Sequence, residues 1–329
     1  MVHDFLTLSA DEIRKNPNLV TSRYFTEIRG SRAETVILSS EEFENLNSGI
    51  ASLREYLIPE FNVKVIFYVR RQDEMIESLY NQRIKSPKIH SGMKFADFFS
   101  QLMNPAEQYR SGNKSIPARN DRLDYYSLLL PWKNAFGMEN ILVRCYEQEQ
   151  LSQGLYEDFM NAIGCGFDRR YRVPSERVNA SLPLDHLEII RICNDQFNGD
   201  ENIHTFLLRT FKTMNAGKTF KRQYLLSPGQ RREILSFYET SNEKIAREFL
   251  GRSDGRLFYA PLPDVQEPWE PYEGLTVEKI VPIFTEILFN MDLERNSLKR
   301  RMRMTIKKIG TTLGLLPTME YWYTRFHRT

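Results

Sequence analysis

Along the first half of the chain, short blocks of β-branched and aromatic residues alternate with stretches of helical period. TVILS, Thr35 to Ser39, reads as a strand buried on both faces. A helical stretch follows over roughly 42–56, and VKVIFYV, Val63 to Val69, gives a second strand. The spacing of Met75/Leu79 and Ile76/Tyr80 predicts a helix over about 73–85. Strand, short crossover helix and strand predict a right-handed βαβ unit with parallel strands. Residues 86–120 are rich in Ser, Pro, Asn and Gly. They read as a long surface excursion with a helical piece near Phe95 to Met103. A helix ending near Gly137, a third strand from Ile141 to Tyr146 and a helix stopped by Gly164 come next.

From Leu184 to Phe249 the pattern is helical, broken near Asn198, Gly217 and Pro228-Gly229. Pro261, Pro263, Pro268 and Pro271 rule out a helix across them. The expected organisation is therefore an α/β domain over 1–260, a Pro-rich linker over 261–275 and a basic helical appendage over 276–329. Its helix is expected from about Val277 to Ile309.

Composition narrows this picture. With 41% hydrophobic, 12% aromatic and 27% charged residues in 329, the chain is a globular protein rather than a disordered one. A formal net charge of +2 argues against nucleic acid as a partner. The charge is unevenly placed: nine Lys/Arg and one acid, Glu320, lie from Arg295 onward. That segment reads either as a solvated helix or as a surface making weak contact with an anionic membrane or an acidic glycan. The aromatic cluster Tyr321, Trp322, Tyr323 and Phe326 is expected to pack the tail back onto the body. Three cysteines without a CxxC spacing, no leader-like start and no long apolar run point to the cytoplasm. Five histidines without ligand spacing suggest no metal.

Three parallel strands would place the residues at their C-terminal ends along one sheet edge, where ligands bind in open α/β folds. The first delivers Ser39-Ser40-Glu41-Glu42, the second Arg70-Arg71 and then a helix carrying Ser78. An arginine fork, a hydroxyl and a helix N-terminus can converge on one phosphate. The alternative is that Arg70-Arg71 pairs with nearby acids. Glu41, with Glu42 beside it, reads either as a general base or as a helix-start acid favoured by the dipole.

VKVIFYVRRQDEMIESLYNQ resembles the strand–helix element with which sulfotransferases using 3′-phosphoadenosine 5′-phosphosulfate (PAPS) hold the cofactor's 3′-phosphate. There an Arg closes the strand and a Ser lies eight residues on; here these are Arg70 and Ser78. The likeness extends in order over roughly 35–258. It includes VILSSEEF, LDYYSLLLPWKNAFGMENILVRCYEQEQL, DFMNAIG, VNASLPLDHLEIIRICN and SFYETSNEKIAREFLG. It resembles a bacterial sulfotransferase-like branch of the P-loop superfamily.

The resemblance implies an α/β fold with a three-layer parallel sheet of P-loop NTPase/sulfotransferase type and a helical second half. It implies sulfuryl transfer from PAPS, without a metal, to a hydroxyl of a saccharide or polysaccharide precursor. Arg70 and Ser78 would bind the 3′-phosphate and Glu41 would take the acceptor proton. The alternative is a truncated or non-catalytic relative that binds nucleotide or glycan.

One family element is missing. Nothing before Ser39 supplies the first strand and the phosphate loop with its Lys, and Ala216-Gly217-Lys218-Thr219 reads as a helix end and turn. Since the missing strand is central in that superfamily, its loss is expected to leave two sheet edges facing a gap. A start too far downstream, a decayed remnant, or another segment filling the gap are the three explanations.

Overall fold

The computed structural model describes residues 1–86, 88–89, 91–103, 122–168, 170–173, 182–218, 220 and 223–289. Three short helices open the chain: α1 (Val2–Thr7), α2 (Ala10–Lys15) and α3 (Val20–Gly30). A capping box closes the start of α2, Ser9 receiving the Glu12 amide while Glu12 returns to the Ser9 amide. The Thr21 hydroxyl donates to Asp4 at 2.6 Å and ties α3 to α1. After an irregular stretch, 3-10 turns at Glu41–Asn45 and Asn47–Gly49 lead into α4 (Ile50–Leu57). Then come β1 (Val65–Val69), α5 (Gln72–Lys85), α6 (Phe95–Met103), α7 (Tyr125–Phe136) and β2 (Ile141–Cys145).

The remainder is helical: α8 (Leu155–Ala162), α9 (Leu184–Gln196), α10 (Glu201–Asn215), α11 (Pro228–Phe237), α12 (Glu239–Glu248) and α13 (277–289). The predicted helix breaks are real. Asn198 has φ 49° and Gly217 has φ 72°, and Ser227 caps α11 with Pro228 in its first turn. Gly164, at φ 75°, ends the turn after α8. The expected continuation of the last helix to Ile309 and the packing of the terminal aromatic cluster lie outside the described residues.

The three-layer parallel sheet is not found. Among the described residues the sheet has two strands, β1 and β2, paired in parallel with Val65 opposite Ile141 and Val69 opposite Cys145. Thr35 to Ser39 forms no strand. Its Val36 and Ile37 are 41% and 54% exposed. A run of β-branched residues specifies extended backbone, but only a neighbour with free amides and carbonyls makes it a strand. The βαβ unit expected to begin there is therefore absent. No gap separates the later strands: β1 and β2 pair directly, which satisfies the backbone groups along the edge between them.

Two apolar clusters hold the molecule. The first gathers Phe5, Ile13, Phe25 and Tyr56 from the N-terminal helices, one face of the sheet (Val69, Val143, Cys145), Leu129 and Trp132 of α7, and Ile245 of α12. Phe25 meets Tyr56 edge-on at 5.0 Å. The second gathers Ile76, Tyr80 and Ile84 of α5, Phe98 of α6, Ile190 of α9, Phe211 of α10, Ile234 of α11 and Ile287 of α13. Each fully buried side chain of this size contributes roughly 1.5–3 kcal/mol. Strand β1 thus belongs to the first core and α5, the next element in the chain, to the second.

The sheet-edge cluster around Arg70

Alternation along the strands sorts the sheet into an apolar and a polar face. Val69, Val143 and Cys145 enter the first core. On the opposite face Tyr68 stands beside Arg144, its register partner. One pleat further on, at the C-terminal edge, Arg70 lies with its guanidinium 5.7 Å from the Tyr146 ring centre. The Tyr146 amide donates to the Val69 carbonyl at 2.7 Å, and the Tyr125 hydroxyl to the Arg70 carbonyl at 2.6 Å. The backbone beneath Arg70 is therefore fixed from two sides.

The Arg70 side chain has an acid partner within the chain. Its Nε and Nη2 donate to Glu74 Oε2 at 3.0 and 2.9 Å. Both partners are about a quarter exposed. Glu74 and Ser78 lie four residues apart on one side of α5, and Arg70, just before that helix, meets Glu74. This is the alternative weighed for the sequence, in which Arg70-Arg71 pairs with nearby acids, and the acid is Glu74, at the i,i+4 spacing. Arg71 follows the same alternative: it meets Asp73 at 2.8 Å, and Asp73 also receives Arg231 at 2.7 Å, all three buried.

Glu41 opens the first 3-10 turn and is exposed. Ser40 caps that turn by accepting the Glu42 amide at 3.2 Å. Among the described residues no hydrogen bond or ion pair joins Glu41 to Arg70 or Ser78. The Gly217-Lys218 decoy is a helix end, as expected, and Lys218 Nζ pairs with Glu286 at 3.1 Å.

Beside β2 lies a cavity of about 350 Å³ lined by Arg144, Cys145, Gln150, Asp158, Arg252 and Tyr259 among others. Asp158 accepts from the Tyr68 hydroxyl at 2.5 Å and from Arg144 Nε at 3.0 Å, with Arg144 Nη2 on its second oxygen. Burial opposes ionisation of Asp158, but the Arg144 and Tyr68 hydrogen bonds outweigh it and hold the carboxyl below its usual range. Burial pushes the Cys145 thiol up to about 11, so it is no ready nucleophile. Nothing local in the sequence marks this cluster, since Tyr68 and Asp158 are 90 residues apart.

Among the described residues no group of three or more His, Cys, Asp or Glu side chains could hold a metal ion, and no helix is long and apolar enough to cross a membrane. An uncharacterized protein of Archaeoglobus fulgidus is 30% identical to this chain over 226 residues, which is 66% of the chain and 54% of that protein. The chain spans about half the length of this relative. No protein-family model matches the chain, and no solved structure matches it.

Proposed function

We propose that the chain binds the 3′-phosphate of an adenosine nucleotide at Arg70 and Ser78, and that with PAPS it transfers a sulfuryl group to a saccharide hydroxyl. The observation that carries this reading is Arg70 at the C-terminal edge of the sheet, already holding an anion in the Glu74 carboxylate. A phosphate in that place would take the guanidinium fork, the Ser78 hydroxyl two turns along α5 and a flank on the Tyr146 ring. In the transfer the acceptor oxygen bonds to sulfur, the sulfur bond to the 5′-phosphate oxygen breaks, Glu41 takes the acceptor proton and adenosine 3′,5′-bisphosphate leaves. The free thiols Cys145, Cys165 and Cys193 accord with a reducing compartment, and we place the protein in the cytoplasm.

A second reading, nucleotide or glycan binding without transfer, is favoured by Glu41, which is exposed and has no polar link to Arg70. Calorimetric titration of adenosine 3′,5′-bisphosphate into the full chain tests the common step. Saturable binding that Arg70→Ala abolishes is expected. Binding that survives in this variant would overturn the site. Turnover of PAPS that disappears in Glu41→Gln while nucleotide binding persists distinguishes transfer from binding alone.

A further inference from the structure

The cavity beside β2 takes no part in the Arg70–Ser78 reading, and four separate stretches of chain build it. Strand β2 brings Arg144, the turn after it Glu149 and Gln150, α8 brings Asp158, and the segment after α12 brings Arg252 and Tyr259. Arg252 is held in place. Its Nη1 donates to the Arg256 and Leu257 carbonyls at 3.0 and 2.8 Å, and its Nη2 to Gln150 Oε1. Gln150 Nε2 donates in turn to the Leu257 carbonyl at 2.9 Å. The Tyr259 amide donates to Glu147 at 2.6 Å, and its ring centre lies 4.8 Å from the Arg252 guanidinium. These walls stand before a ligand arrives, which lowers the ordering cost of binding one.

Donors and acceptors around the cavity are unevenly spent. Asp158 accepts from the Tyr68 hydroxyl and from two nitrogens of Arg144. Glu147 accepts from the Tyr259 and Ala260 amides and from Gln150. Both carboxylates are thus turned to the protein. The donors are not exhausted. Asp158 takes the Nε and Nη2 side of Arg144, and Nη1 has no partner among the described residues, on a side chain 42% exposed. Arg252 makes its hydrogen bonds to neutral oxygens, and among the described residues it forms no ion pair. A ligand that completes the cavity therefore brings acceptor oxygens. The end of the Arg144 fork matches a planar carboxylate. The charges that line the cavity, Arg144 and Arg252 against Asp158 and Glu149, cancel, which favours a monoanion over a dianion. Val143, Leu250 and the Tyr259 ring offer surface to an apolar body, and about 350 Å³ suits a small one.

We propose that this cavity binds a small monocarboxylate with an apolar body, its carboxylate on the end of the Arg144 guanidinium. The test is ligand-observed NMR titration of the full chain with benzoate, its neutral counterpart benzyl alcohol and the dianion phenyl phosphate. Saturable binding of benzoate is expected, with the other two weaker by roughly tenfold or more. Arg144→Lys keeps the charge beside Asp158 and loses the fork, so it should weaken benzoate roughly tenfold. Glu149→Gln removes an exposed like charge at the rim and should tighten benzoate about two- to fivefold. Saturating adenosine 3′,5′-bisphosphate should leave benzoate bound. The absence of saturation in a folded chain, or equal binding of benzyl alcohol or phenyl phosphate, would overturn the proposal. So would displacement of benzoate by the bisphosphate, which would put the carboxylate at the phosphate position. Should Arg144→Lys lose its helical circular dichroism, Glu149→Gln decides, and unchanged affinity there counts against the site.

Discussion

Arg70, at the end of β1, pairs with Glu74 in the first turn of α5. Their ion pair is partly exposed and spans one turn, so it is worth no more than about 1 kcal/mol. On the proposed reading, a phosphate carrying two charges and offering a bidentate edge would outcompete it. Removing the internal competitor should therefore help the ligand. Glu74→Gln is expected to tighten adenosine 3′,5′-bisphosphate binding roughly two- to fivefold, the range such a pair allows. Unchanged or weaker affinity in titrations of the variant would show that Glu74 does not compete for the site. The residue scale is also where the sequence was most legible: Arg70 at a strand end and Ser78 early in the next helix stand where spacing put them. Tyr146 and Arg144 were visible only as strand residues. That they share a face with Arg70 comes from the parallel register, which no local pattern contains.

At the level of elements, α9 and α10 are joined by a stacked pair, the His186 ring lying 4.3 Å from Phe211 and parallel to it. Asn215 meets its Nδ1 at 2.9 Å. Burial lowers the His186 pKa; Glu286 and Asp185 oppose this and Lys218 adds to it. The unfolded chain thus holds the proton more tightly than the folded one, so stability rises with pH and is lost as pH falls through the ordinary imidazole range, about 6.5. Urea midpoints should drop between about pH 7.5 and pH 5.5, and by less in His186→Phe. Equal drops in the two proteins would assign the effect to other groups. Helices such as α5, α6, α7 and α9 were legible because their apolar period is local and repeated. Thr35 to Ser39 was not, because strand identity depends on a partner, and β1 already has β2 on one side. The strand expected at Thr35 to Ser39 rested on treating an apolar run as self-sufficient, and the three-layer sheet on the resemblance to sulfotransferases.

Across the whole molecule the two cores meet at the three residues that start α5. Arg71 Nη1 donates to the Pro261 carbonyl at 2.9 Å, Gln72 exchanges hydrogen bonds with Asn242 at 2.7 and 3.1 Å, and Asp73 takes both Arg71 and Arg231. Gln72 and Asp73 are fully buried, and the Arg231 guanidinium stacks 3.8 Å from the Tyr224 ring centre. One carboxylate is shared by two guanidinium groups here, so its loss would deprive both buried cations of their common acid partner. Asp73→Asn is expected to cost about 3–5 kcal/mol. Because β1 belongs to one core and α5 to the other, the cost should fall on their coupling as well as on total stability. Trp132 sits in the first core, whereas the second is built almost wholly of helices. In a Trp269→Phe, Trp322→Phe background, Trp132 fluorescence and far-ultraviolet circular dichroism should trace one urea transition in the parent and two separated ones in Asp73→Asn. Coincident transitions in both would mean that the cores are coupled through their apolar contacts, and that the buried Arg–Asp–Arg cluster only adds stability.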